Sequence, residues 1–114
     1  MRSVVSDTRT ATALARYFQA LGHPVRLRLV QLLAEGEASV VELVEALGLP
    51  RSRVSNHLAC LRWCGFVVGE RHGRRVAYRL ADPRLPALIG LADELSTGQA
   101  EHLANCTSLG PAWL

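Results

Sequence analysis

Residues 39–65 read SVVELVEALGLPRSRVSNHLACLRWCG, and this stretch decides the fold. Ser39 and Glu42 stand three apart, the spacing of a capping box in which hydroxyl and carboxylate satisfy two free backbone amides. Val40, Leu43, Val44 and Leu47 follow at i, i+3, i+4 and i+7, one apolar stripe of a helix. Gly48-Leu49-Pro50 is a tight break. The spacing then predicts a helix from about Arg51 to Cys64, with Gly65 where a left-handed C-cap belongs. Two short helices joined by a three-residue turn containing glycine make a helix-turn-helix.

Upstream, Leu14, Tyr17, Phe18 and Leu21 fall at helical spacing, predicting a helix from about Thr8 to Leu21, with residues 1–7 frayed. Gly22-His23-Pro24 stops it, and Pro24 suits the first turn of a second helix that reaches about Glu35. Downstream the period changes to two. Phe66-Val67-Val68 is strand-like, and Val76, Tyr78 and Leu80 alternate with Ala77 and Arg79. Between them lies Arg71-His72-Gly73-Arg74-Arg75, a glycine turn loaded with charge. Asp82 as N-cap and Pro83 in the first turn predict a last helix to about Ser96, followed by a tail over residues 97–114. The expected class is mainly α (α+β), in the order α-α-α-α-β-β-α. That is a winged helix-turn-helix, one domain spanning residues 1–114.

Composition agrees. A chain of 114 residues with 49% hydrophobic and 20% charged residues is one globular domain, with no room for a separate cofactor module. No apolar run is long enough to span a membrane, and the start MRSVVSDTRT lacks a signal peptide's apolar stretch, so the expected location is cytoplasmic. The net charge is +3, and all thirteen basic residues are arginine. Arginine's planar fork suits phosphate and guanine edges better than lysine does. No nucleophile–base–orienter set, phosphate loop or paired carboxylates can be assembled, which argues against an enzyme and a small organic substrate.

On the Arg51–Cys64 helix, at about 100° per residue, Val54, Leu58 and Leu61 fall in a narrow arc that faces the core. Ser52, Ser55, Asn56 and Ala59 fall on the other side, small enough to enter a groove. Arg51 and Arg53 stand at the N-terminal end, which in helix-turn-helix proteins meets base edges. Arg71, His72, Arg74 and Arg75 supply a basic turn suited to phosphates or a minor groove. Double-stranded DNA is the expected partner.

Three cysteines remain: Cys60, Cys64 and Cys106. An odd number is a poor disulfide framework. Cys60 and Cys64 lie one helical turn apart, beside the core stripe. They are buried small hydrophobes, reactive thiols, or two thiolates clasping one soft ion, which then needs a further ligand. A redox pair fits poorly, because Cys64 ends its helix, where the dipole opposes a thiolate. His57 and His102 could add nitrogen for zinc, which prefers four ligands.

The order of elements, the segment LGHPVRLRLVQLL (residues 21–33) and SRVSNHLACLR with its Ser55-x-His57-Leu58 core resemble the ArsR/SmtB family of metal-responsive winged-helix repressors. The likeness covers about residues 10–95. It implies a homodimer with the first and last helices at its interface. Leu14, Tyr17 and Phe18, and Leu85, Leu88, Leu91 and Leu95, are compatible with that. It adds His57 to the candidate DNA-binding residues, within the recognition-helix core. RSRVSNHLACLRWCGFVV (residues 51–68) is similar to the family's cadmium- and lead-sensing branch. That likeness implies Cd(II) or Pb(II) as effector, held by Cys60, Cys64 and a thiolate from the C-terminal region of the other protomer, for which Cys106 is the candidate. As(III), Sb(III) and Zn(II) are the other ions to weigh, and a winged-helix DNA-binding or interaction module with structural cysteines and no metal effector is the rival reading. The chain lacks the Cys-x-Cys that other branches carry at the start of the third helix, where it reads Ala38-Ser39-Val40-Val41. Asp93, Glu94, Glu101 and His102 match only in part the zinc site that some members build between their last helices.

Overall fold

The structure, a computed structural model, describes residues 4–106, with side chains from residue 8. Six helices and one hairpin follow in order: α1 (Val4–Leu21), α2 (Pro24–Ala34), α3 (Val40–Leu47), α4 (Arg51–Trp63), β1 (Val67–His72), β2 (Arg75–Leu80), α5 (Leu85–Thr97) and α6 (Ala100–Ala104). The winged helix-turn-helix is as expected, with one short helix added beyond it. Among the described residues no helix is long and apolar enough to cross a membrane.

The helix ends follow from local chemistry. His23 caps α2, its Nδ1 accepting from the Val25 amide at 3.1 Å. Ser39 and Glu42 close the capping box of α3: Ser39 Oγ accepts from the Glu42 amide, and the Glu42 carboxylate from the Ser39 amide. Gly48 ends α3 at φ 66°, and Gly65 follows α4 at φ 87°, the left-handed region that favours glycine. With Gly65 so turned, its amide reaches Arg62 O and the Phe66 amide reaches Leu61 O, closing the end of the reading helix.

Two expectations need correction. The first helix starts at Val4 rather than Thr8, so residues 4–7 are helical, not frayed. The last long helix starts at Leu85, not at Asp82. The Asp82 carboxylate accepts from the Arg84 amide and its guanidinium, so Asp82 caps a turn before the helix, and Pro86 stands in the first helical turn. Beyond Thr97 the tail carries a further helical turn, Ala100–Ala104, before Cys106; residues 107–114 lie outside the described residues.

The core lies between α2, α3, α4 and the hairpin. Leu29, Val30, Leu43, Val54, Leu58 and Leu61 are its most deeply buried large side chains. β1 and β2 pair antiparallel, Val67 opposite Leu80 through His72 opposite Arg75. Ala77 is buried although it faces away from Tyr78 and Leu80, so both faces of the base of the hairpin are covered. Ala38 adds a backbone bridge, its amide reaching Tyr78 O at 3.0 Å and Tyr78 N reaching Ala38 O at 2.8 Å. The chain entering α3 is thus stitched to β2. The Tyr17 ring lies 4.7 Å from Phe66, which docks α1 beside the end of α4. Leu14, Phe18, Leu91 and Leu95 remain exposed, a pair of apolar stripes on α1 and α5.

Candidate nucleic-acid interface and thiol pair

The reading helix is oriented by its buried stripe. Val54, Leu58 and Leu61 point into the core, which turns Ser52, Asn56 and Ala59 to solvent and leaves Ser55 half-exposed. Arg51 and Arg53 stand exposed in its first turn. Facing this end is the hairpin, turned by Gly73 at φ 67°. Arg71, His72, Arg74 and Arg75 are all exposed at its tip. Ser39, Glu42, Arg51, Ser55, Arg74, Arg75 and Tyr78 line the groove between helix and wing, whose volume is about 800 Å³. Its arginines suit a phosphate backbone, with the polar helix side toward base edges.

Two of the candidate residues have side-chain partners far off in the sequence. Arg75 is paired with Glu42, whose Oε1 also accepts from the Ser39 amide and hydroxyl. The Ser39 hydrogen bonds, aided by the Arg75 charge, hold the Glu42 carboxyl below the usual carboxylate range. His57 is half-buried, its Nδ1 accepting from Arg26 Nε at 3.3 Å and its ring 4.3 Å from that of His23. The structure therefore places His57 in the seam between α4 and α2. Desolvation there, with His23, Arg26 and Arg53 nearby, pushes its imidazole below the usual value. These partners are separated by about thirty residues in the chain, |i−j| of 33 and 31, and no local pattern announces them.

Cys60 and Cys64 share one side of the end of α4. Cys60 is half-buried and Cys64 exposed, and the Cys64 amide donates to Cys60 O at 2.9 Å. The thiols feel each other. Desolvation raises the Cys64 thiol, and the charge and hydrogen bond of Cys60 raise it further, while Arg26 opposes. Two thiols one helical turn apart suit a shared soft cation, whose charge would offset what raises Cys64. Cys106 is exposed just beyond α6. Among the described residues no three of His, Cys, Asp and Glu gather within one chain to hold a metal ion. Trp63, next to Cys64, is 91% exposed.

Comparison with known proteins adds context. A family model described as "Bacterial regulatory protein, arsR family" matches residues 23–68, from the cap of α2 into β1. A probable mercury resistance operon repressor of Streptomyces lividans is 42% identical over 95 residues, covering 83% of this chain and 76% of that protein. The transcriptional regulator CmtR of Mycobacterium bovis is 48% identical over 79 residues, covering 69% of this chain and 67% of that protein. Among solved structures, the homodimeric winged helix-turn-helix DNA-binding domain Mb0332 of Mycobacterium bovis superposes with a TM-score of 0.72 at 29% identity. It covers 90% of this chain and 94% of that one.

Proposed function

Because the chain belongs to the ArsR/SmtB family of DNA-binding transcriptional regulators, and is not an enzyme, we propose that it is a cytoplasmic homodimeric repressor released from its operator by Cd(II) or Pb(II). Arg51, Ser52, Arg53, Ser55 and Asn56 read the major groove from two symmetric helices, while Arg71, His72 and Arg74 hold phosphates. Half-sites of a palindromic operator then lie about one helical turn, or a multiple, apart. His57 supports the reading helix from behind.

The observation that carries the reading is the pair of free thiols one helical turn apart at the end of the reading helix itself. Cys60 and Cys64 would hold the ion from that helix, and Cys106 of the second copy would be the third ligand. A bound ion supplies a cross-link between the reading head and the tail. Cys60 and Cys64 thereby transmit any change of tilt straight to Ser55 and Asn56 on the same rigid helix. Coupling of this kind is typically about 1–3 kcal/mol, roughly a 5–150-fold loss of DNA affinity, and DNA weakens ion binding by the same factor.

The test is an anaerobic titration of the reduced protein with Cd(II), following sulfur-to-metal charge-transfer absorption. Three thiolates per ion are expected, falling to two in Cys106→Ser, with loss of Cd(II)-driven DNA release in Cys60→Ser and Cys64→Ser. Release that persists in both single variants moves the site elsewhere. A second reading, Hg(II) as the effector, is favoured by the likeness to the Streptomyces lividans repressor. Hg(II) is content with two thiolates, so under that reading Cys106→Ser keeps its response.

A further inference from the structure

The wing carries four exposed candidates for DNA contact, and while Arg71 reaches only the Gly73 carbonyl of its own turn, Arg75 is ion-paired to another element. Arg75 opens β2 and pairs with Glu42, in the first turn of α3. Glu42 is no casual surface acid. Its Oε1 is fixed from two other directions, by the Ser39 amide at 2.9 Å and the Ser39 hydroxyl at 3.0 Å. It lies in the groove between helix and wing, among Arg51, Arg74 and Arg75. Three residues along β2, the Ala38–Tyr78 backbone bridge ties the same strand to the same entry of α3. The wing is therefore held to the helix-turn-helix at two points, by backbone at its base and by an ion pair near its tip.

The electrostatics of the bound state separate two roles for Arg75. Were Arg75 to leave for a phosphate, Glu42 would face the DNA backbone as a bare carboxylate in the same groove, a like-charge contact that costs binding. Keeping the pair presents a neutral unit there. We propose that Glu42 is a positioning residue for DNA binding: its carboxylate holds Arg75 as a strut that sets the wing against the reading helix and withholds that guanidinium from the phosphates. Phosphate contact from the wing then falls to Arg71 and Arg74. The assignment rests on the reading that this groove faces DNA.

The experiment uses the full chain and a random-sequence duplex, with affinity measured by fluorescence anisotropy across roughly 50 to 200 mM salt. Each phosphate neutralised contributes about 0.9 to the slope of log K against log salt. Glu42→Gln keeps an acceptor for Ser39 and frees Arg75, so the slope is expected to steepen by about 0.9 per wing. The double variant Glu42→Gln/Arg75→Gln has the wild-type net charge, and its slope is expected to equal that of the wild type. A double variant whose slope falls by about 0.9 per wing makes Arg75 a phosphate contact and overturns the assignment. So does a Glu42→Gln slope that does not change. A wild type that shows no salt-dependent binding overturns the DNA reading together with it, whereas the other two failures leave that reading standing. Matching far-ultraviolet circular dichroism melts show that both variants are folded.

Discussion

His57 and His23 face each other across the seam of α2 and α4, and both imidazoles titrate below their ordinary value of 6.5. Desolvation is the first cause in each, and Arg26 and Arg53 add repulsion. The sign follows directly. The unfolded chain takes up these protons near pH 6.5, while the folded chain resists. Their contribution to stability is complete above about pH 6.5, declines as the pH falls through that value, and levels off below the folded-state pKa. Thermal melts between about pH 8 and 5 are expected to show this loss, and His57→Gln is expected to flatten it. On the same helix as His57, Leu61 is fully buried in the core. Leu61→Ala should cost about 2–5 kcal/mol in denaturant unfolding, because it opens a cavity in a fully buried site.

At the scale of elements, the capping box of α3 does two tasks with one glutamate. Ser39→Ala removes a cap hydroxyl and should destabilise by about 0.5–2 kcal/mol, a drop of several degrees in Tm. It also removes one of the donors that fix Glu42, so the wing loosens with the helix. Gly65→Ala forces a side chain into the left-handed region at φ 87° and should cost about 1–2 kcal/mol. These elements were legible because their signals are local: a hydroxyl and a carboxylate three apart, a glycine after an apolar stripe, a change of period at Phe66. The start of α5 misled because Asp82-Pro83 carries the same local signature as a helix start. Arg84 decided otherwise by capturing the Asp82 carboxylate. The Glu42–Arg75 and Arg26–His57 contacts left no trace in any window, since side chains more than thirty positions apart meet only after the core has formed. The thiol pair lay between these cases. Its spacing was visible, but the half-burial of Cys60 and the exposure of Cys64 were not.

For the whole molecule, the decisive feature is what the single chain leaves uncovered. Leu14 is 51%, Phe18 49%, Leu91 55% and Leu95 68% exposed, all on α1 and α5. Contiguous apolar stripes of this kind on a small domain mark an association surface. The charge-bearing pair Leu14→Asp/Phe18→Asp is expected to sediment as a monomer and to bind a palindromic duplex at least tenfold more weakly, because the two reading helices are no longer coupled. If the variant remains dimeric, the interface lies on another face. The same stripes carry a consequence for the cell. When subunits are mostly apart, the concentration of the DNA-competent form rises with the square of the amount of chain present. Halving the number of copies then leaves only about a quarter of the working repressor. Gene dosage, dilution at division and proteolysis would each turn the same dial as the ion, with no ligand at all.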